Sequence, residues 1–260
     1  MGELGYDAQL AAWRLEHEDS FVRPDGWLSQ IALCWLENGQ LTLDVGTFSS
    51  IPGGVRFVAA EGAPVRLADA PVHDVVLRDV GQDWPDVLVA QTRSYQVVRR
   101  GGALAVRVRD TDAPARKTFR GLAWYPVRPA WRVVGKLVAT DGAGPAVMRF
   151  TDGPEQDEPC PGRVLFEMNG RTHGLLPYAR PNGSWLFVFR DETNADETCE
   201  LFRYFYSDAP APDGSVVLDF NRAAAPVCAL VPAVTCVVPP LENRLALRVE
   251  VGERRLGSAT

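Results

Sequence analysis

Lysine is almost absent. Lys117 and Lys136 are the only two, so arginine carries nearly all of the positive charge. Acidic residues outnumber basic ones and leave a formal net charge of -6. That balance excludes a nucleic-acid backbone as the partner, because phosphate binding needs clustered basic side chains. Histidine is as scarce: His17, His73 and His173 are the only three. The five cysteines (Cys34, Cys160, Cys199, Cys228, Cys236) are scattered and far from any histidine, so no metal site is expected. The expectation for Cys228 and Cys236 is a pair of buried thiols rather than a disulfide.

Long apolar runs are missing, which excludes a membrane-spanning helix. The first residues show neither a basic segment nor an apolar one, so no secretory signal is read and a cytoplasmic location is expected. The chain contains no Gly-x-Gly-x-x-Gly after a strand and no phosphate-binding Gly-Lys-Ser/Thr loop, and a nucleotide cofactor is not expected. No Gly-x-Ser-x-Gly elbow is available to a serine nucleophile. No repeat of 20–50 residues indicates a solenoid or propeller.

What is present is β rhythm. One helix is read near the start, where Tyr6, Leu10, Trp13 and His17 keep helical spacing until Pro24 stops it. Afterwards the period falls to two, with turns marked by Gly101-Gly102, Asn169-Gly170, Asn182-Gly183 and Asp213-Gly214. Proline- and glycine-rich stretches at 141–145 and 152–162 read as loops. The predicted fold is mainly β, an antiparallel sandwich or barrel-like architecture in two β-rich parts behind one N-terminal helix. Residues 1–24 form the helix, 25–118 the first part, and 119–260 the second, which carries the candidate site; a single domain is the other reading.

The segments Gly26-Trp27-Leu28-Ser29, Val98-Arg99-Arg100-Gly101, Arg107-Val108-Arg109-Asp110 and Phe119-Arg120-Gly121-Leu122 occur in a telling order. Phe189-Arg190-Asp191-Glu192-Thr193, Leu218-Asp219-Phe220-Asn221, Pro239-Pro240 and Asn243-Arg244-Leu245 follow them. Together they resemble a bacterial and archaeal family called domain of unknown function 1684. The resemblance covers about residues 13–252 and implies no particular activity. Where similar members carry Tyr-Asn before the proline near Cys228, this chain has Ala223-Ala224-Ala225-Pro226, and Leu230-Val231 stands where they have a Tyr-Asn pair. These changes imply that this member has lost part of the family's chemistry or takes a more apolar ligand.

Within residues 216–244 the special residues crowd together, as functional loops on a β scaffold do. Arg203 lies in an otherwise aromatic strand and needs a carboxylate partner, from the protein or from a ligand; Asp219 and Glu197 are the expected ones. The candidate catalytic set is Arg203, Asp219 and Glu197. The candidate ligand-binding set is Asn221, Tyr204, Trp185, Trp124, Tyr125, Cys228, Asn243 and Arg244. Each has a plainer reading: Asp219 and Asn221 as turn caps, Asn243 and Arg244 as holders of a crossing loop, the aromatic residues as core, the acidic turn 191–197 as solvated. The expected function is binding of a small organic molecule, extending to cofactor-independent catalysis on an apolar substrate, with neither nucleic acid nor membrane as partner. The alternative is a non-catalytic interaction module, because the first part has a strand rhythm loosely similar to forkhead-associated sandwiches. It lacks their Gly-Arg and Ser-x-x-His phosphate-reading pattern.

Overall fold

The computed structural model describes residues 5–78, 86–100, 102–139, 146–150 and 155–255. The turn position Gly101 and the loops at 141–145 and 152–154 lie outside them. Among the described residues the protein is mainly antiparallel strand, with a helix at Tyr6–Val22 and a five-residue helical turn at Pro114–Thr118 that the sequence pattern does not announce. The sheets stack as sandwiches, and none of those described closes into a barrel. Residues 152–162 are not wholly loop, since Gln156–Glu158 is a strand.

Toward the N-terminus, a six-stranded sheet runs in the order Gln30–Trp35, Ala103–Asp110, Arg93–Arg100, Val87–Ala90, Arg66–Leu67, Ala70–Pro71. It covers a four-stranded sheet of Gln40–Leu43, Gly46–Ile51, Gly54–Ala59 and Asp74–Leu77. Phe48 and Phe57 from the smaller sheet meet Tyr95, Val97, Val106 and Val108 from the larger, all buried in one core. Strand alternation then dictates what the outer face of the larger sheet carries. Arg107 pairs with both Leu33 and Gln96, Ala103 with Arg100, and Ala105 with Val98. Directly opposed residues share a face, so Leu33, Val98, Arg100 and Arg107 all point away from the core.

Toward the C-terminus, a four-stranded sheet has the order Arg171–Leu175, Arg163–Met168, Arg132–Val138, Ser215–Asp219. The Asn169-Gly170 turn joins its first two strands; both residues have positive φ, 53° and 71°, which suits Asn and Gly. Facing it is a three-stranded sheet of Tyr178–Ala179, Trp185–Phe189 and Arg203–Ser207. Phe166, Phe187, Phe189, Phe205 and Phe220 fill the space between them. The strand Trp185–Phe189 is buried along its whole length. A third layer covers its back, where Leu186 and Val188 pack against Met148, Phe202 and Cys236.

The N-terminal helix is fastened to these C-terminal sheets along its length. Tyr6 Oη donates to Asp219 Oδ1 at 2.9 Å, Arg14 Nη2 to the Tyr125 carbonyl at 3.2 Å, and Trp124 Nε1 to Glu18 Oε1 at 2.9 Å. Trp13 stacks on His17 and meets the edge of Trp124, while Phe21 stacks on Phe119. Beyond Phe21 the cluster continues into Leu28 and Val231, so the apolar Leu230-Val231 segment closes the helix against the late loop. No helix among the described residues is long and apolar enough to cross a membrane.

Candidate functional site

Arg203 has no accessible surface, and its partner is Asp191, not Asp219 or Glu197. The Arg203 Nη2 to Asp191 Oδ2 distance is 2.6 Å. The guanidinium also donates to the carbonyls of Val249 at 2.7 Å and Val251 at 2.6 Å. Asp191 Oδ1 accepts from the backbone N–H and the hydroxyl of Thr193 and from the N–H of Val249. Asp191 therefore caps the short helical turn Glu192–Ala195 while neutralising Arg203. The acidic turn divides: Asp191 is buried, whereas Glu192 and Asp196 are exposed.

Asn221 and Asn243 are both fully buried and do the same job twice. Asn221 accepts from the Arg128 N–H at 2.9 Å and donates to the Arg128 carbonyl at 3.0 Å. Asn243 accepts from the Leu176 N–H at 2.7 Å and donates to the Leu176 and Val188 carbonyls at 2.9 and 2.8 Å. Each side-chain amide thus stands in for a strand neighbour of a loop that has none. Arg244 is exposed, and the backbone around it bridges to Arg190.

Asp219 edges an open cleft of about 1050 Å³ that also contacts Tyr6, Arg132 and Arg222. Its Oδ1 holds Tyr6 and Asn221, and Arg222 Nε lies 3.6 Å from Oδ2. Glu197 accepts from the Tyr125 hydroxyl and pairs with Arg248 at 3.3 Å. Burial, then the Glu197 carboxylate, pushes the Tyr125 phenol above its ordinary range. Trp185 is core, and Trp124 is occupied by Glu18 and Arg14. Tyr204 packs with Cys228 behind the three-stranded sheet. Cys228 is not a thiol: it is joined to Cys236 as a disulfide, because the loop between them folds back to bring their Cα atoms 6.0 Å apart. The eleven candidate residues thus sit in separate networks and do not converge on one cavity.

A different set does converge. Between the outer face of the six-stranded sheet and the third C-terminal layer lies a cavity of about 320 Å³. Trp27, Leu33 and Val98 wall it on one side, and Met148, Phe150 and Leu186 on the other. Arg100, Arg107 and Arg180 also line it, and Glu158 is the one carboxylate among its described lining residues. That carboxylate is spoken for, since Arg180 Nη1 lies 3.3 Å from Glu158 Oε2. Among the described residues Arg107 reaches only the Gln96 side-chain oxygen, at 3.3 Å, and its Nε is buried without an acceptor. Burial, then Arg109 and Arg100 nearby, lowers the Arg107 guanidinium to about 10. Burial, then Arg180, lowers Arg100. Even so lowered, Arg107 remains a cation at neutral pH.

The sequence carried a signal for this site. Arg107-Val108-Arg109 alternates arginine on a strand whose other face is core, so both arginines had to face outward together. Glu253 was also missed. It is 5% exposed, accepts from the Ala225 N–H at 2.9 Å, and is raised to about 8 by burial. Among the described residues, no group of three His, Cys, Asp or Glu side chains could hold a metal ion.

The model of a family described as protein of unknown function (DUF1684) matches residues 117–254. The chain belongs to this family. The DUF1684 match spans the helix-facing Phe119, the Arg203–Asp191 network and both buried asparagines, and the resembling segments before residue 117 lie outside it. Among solved structures, the chain is similar to an uncharacterized protein from gene locus rrnAC0354 of Haloarcula marismortui, determined in solution by NMR. The two are 27% identical over 54% of this chain and 79% of that one, with a TM-score of 0.45. No curated protein matches this DUF1684 chain.

Proposed function

We propose that the protein binds a small organic molecule in the cavity between the six-stranded sheet and the C-terminal layers. The observation that carries this reading is a cavity of about 320 Å³ lined by apolar side chains from both sides together with three arginines and other polar groups. Ligand sites generally combine these features at about 300–1,000 Å³. The described lining holds arginines, Gln30, Thr235, Tyr206 and one paired glutamate, with no serine, cysteine or histidine to act as nucleophile or base. This supports binding rather than covalent catalysis. It moves the site away from Arg203 and Asn221, whose polar atoms already serve the fold.

The test is an NMR screen of small apolar and amphipathic compounds against the whole chain. Shifts of the Trp27 indole and the Leu33 and Met148 methyl groups are expected, and Leu33→Trp, which fills the cavity, should abolish them. Shifts confined to the open cleft around Tyr6 and Arg222 would overturn this placement.

A further inference from the structure

Resting on that reading, we propose that the ligand is an organic monocarboxylate, its carboxylate held by Arg100 and Arg107 and its apolar body lying between Leu33, Val98, Met148 and Leu186.

The argument begins with charge. Three arginines and one glutamate line the cavity. Arg180 and Glu158 satisfy each other, which leaves two guanidinium groups facing a half-buried space without a counter-ion among the described residues. The strand register makes this arrangement unavoidable: Arg107 is paired across to Gln96, and Arg100 to Ala103, so both project from the same face. A charge withdrawn from water without a partner is a standing cost, and an anion that enters removes it. A neutral ligand would leave that cost in place, and a cation would raise it.

The same geometry selects among anions. Guanidinium groups present paired donors that match a carboxylate, and two of them can hold both of its oxygens. A phosphate monoester also matches this fork. Its second charge, however, adds to the cost of leaving water for a half-buried cavity with apolar walls.

Size and polarity describe the rest of the molecule. At about 30 Å³ for each water-sized group, the cavity has room for on the order of ten of them. Leu33 and Val98 stand beside the arginines, and Met148, Phe150 and Leu186 lie across from them. A straight or aryl-substituted acid of medium length therefore fits, with its head at the arginines.

The experiment compares four molecules that share one chain and differ only at the head: octanoate, octyl phosphate, 1-octanol and octylammonium. Calorimetry and NMR titration are done on the whole protein at neutral pH and moderate salt. Octanoate is expected to bind most tightly, and Arg107→Met, which keeps the stem and loses the charge, is expected to weaken it at least tenfold while leaving 1-octanol unchanged. Arg100→Met provides the same readout should Arg107→Met not fold. Equal binding of 1-octanol and octanoate overturns the carboxylate assignment but leaves the cavity as a site. Tighter binding of octyl phosphate likewise replaces the ligand class. Failure of all four to shift the cavity resonances removes the binding reading itself.

Discussion

Arg203 and Asp191 form an ion pair at 2.6 Å in which neither side chain has any accessible surface. Breaking such a pair from one side strands the other charge, a loss of about 3–5 kcal/mol. Arg203→Met and Asp191→Asn should each lower the stability read from urea unfolding by an amount of that order. The double variant should recover part of the summed loss, because it leaves neither charge unpaired. Simple additivity in the cycle would show that the pair is not coupled. Where Arg203→Met remains folded, it should keep its ligand affinity, which separates a structural arginine from a ligand-binding one.

The buried asparagines make a second prediction. Asn243→Ala removes the acceptor for the Leu176 N–H and the donor to the Leu176 and Val188 carbonyls. Each backbone group left unpaired and buried costs about 1–3 kcal/mol. Hydrogen exchange at Leu176 should accelerate with the loss in stability, and Asn221→Ala should do the same for the Arg128 amide. Unchanged exchange at both amides would count against the clamp.

Glu253 sets a pH dependence. Its carboxyl is raised to about 8, first by burial, with Glu18 adding repulsion and Arg203 and the Ala225 N–H opposing. The folded state therefore holds this proton more tightly than the unfolded chain, whose carboxyl titrates near 4.5. Its contribution to stability is complete below pH ~4.5 and declines as pH rises through ~8, by an amount on the order of a few kcal/mol. Glu253→Gln should flatten that decline and stabilise the protein at pH 8, as read by thermal melts across the range. Parallel melting curves for the two proteins would refute the assignment.

The Cys228–Cys236 bond closes a short loop, with eight residues of separation. Chain-entropy arguments assign such a closure roughly 2–3 kcal/mol. Cys228→Ser with Cys236→Ser should lower the melting temperature, and adding a dithiol reductant should lower it for the native protein but not for the variant. Because Val234 and Thr235 of this loop line the cavity, octanoate affinity should fall in the same variant. Insensitivity of both melts to reductant would contradict the bond.

Much of the architecture was legible because turns and alternation are local. Asn169-Gly170 and Asp213-Gly214 announce their strands through backbone conformations that few residues adopt. Arg203 was recognisable as a buried cation from its aromatic neighbours alone. Its partner was not, because Asp191 sits in an acidic turn whose other members, Glu192 and Asp196, are ordinary solvated charges. Asn221 and Asn243 drew notice as special residues, but side-chain amides that imitate backbone cannot be told from ligand contacts without coordinates. The cavity is a product of docking. The period of 103–110 shows which way Arg107 points, but nothing local shows that Met148 and Leu186, some forty and eighty positions later, will cover it.

The cavity has a mechanical meaning as well. Its walls come from sheets that have separate hydrophobic cores, and a molecule seated between them acts as mortar. Occupancy rewards only the arrangement in which both walls are in place, and at a hundredfold excess over Kd it adds about 2.7 kcal/mol to that arrangement. Loaded protein should then melt as one body, and emptied protein should let its two sets of sheets come apart in turn.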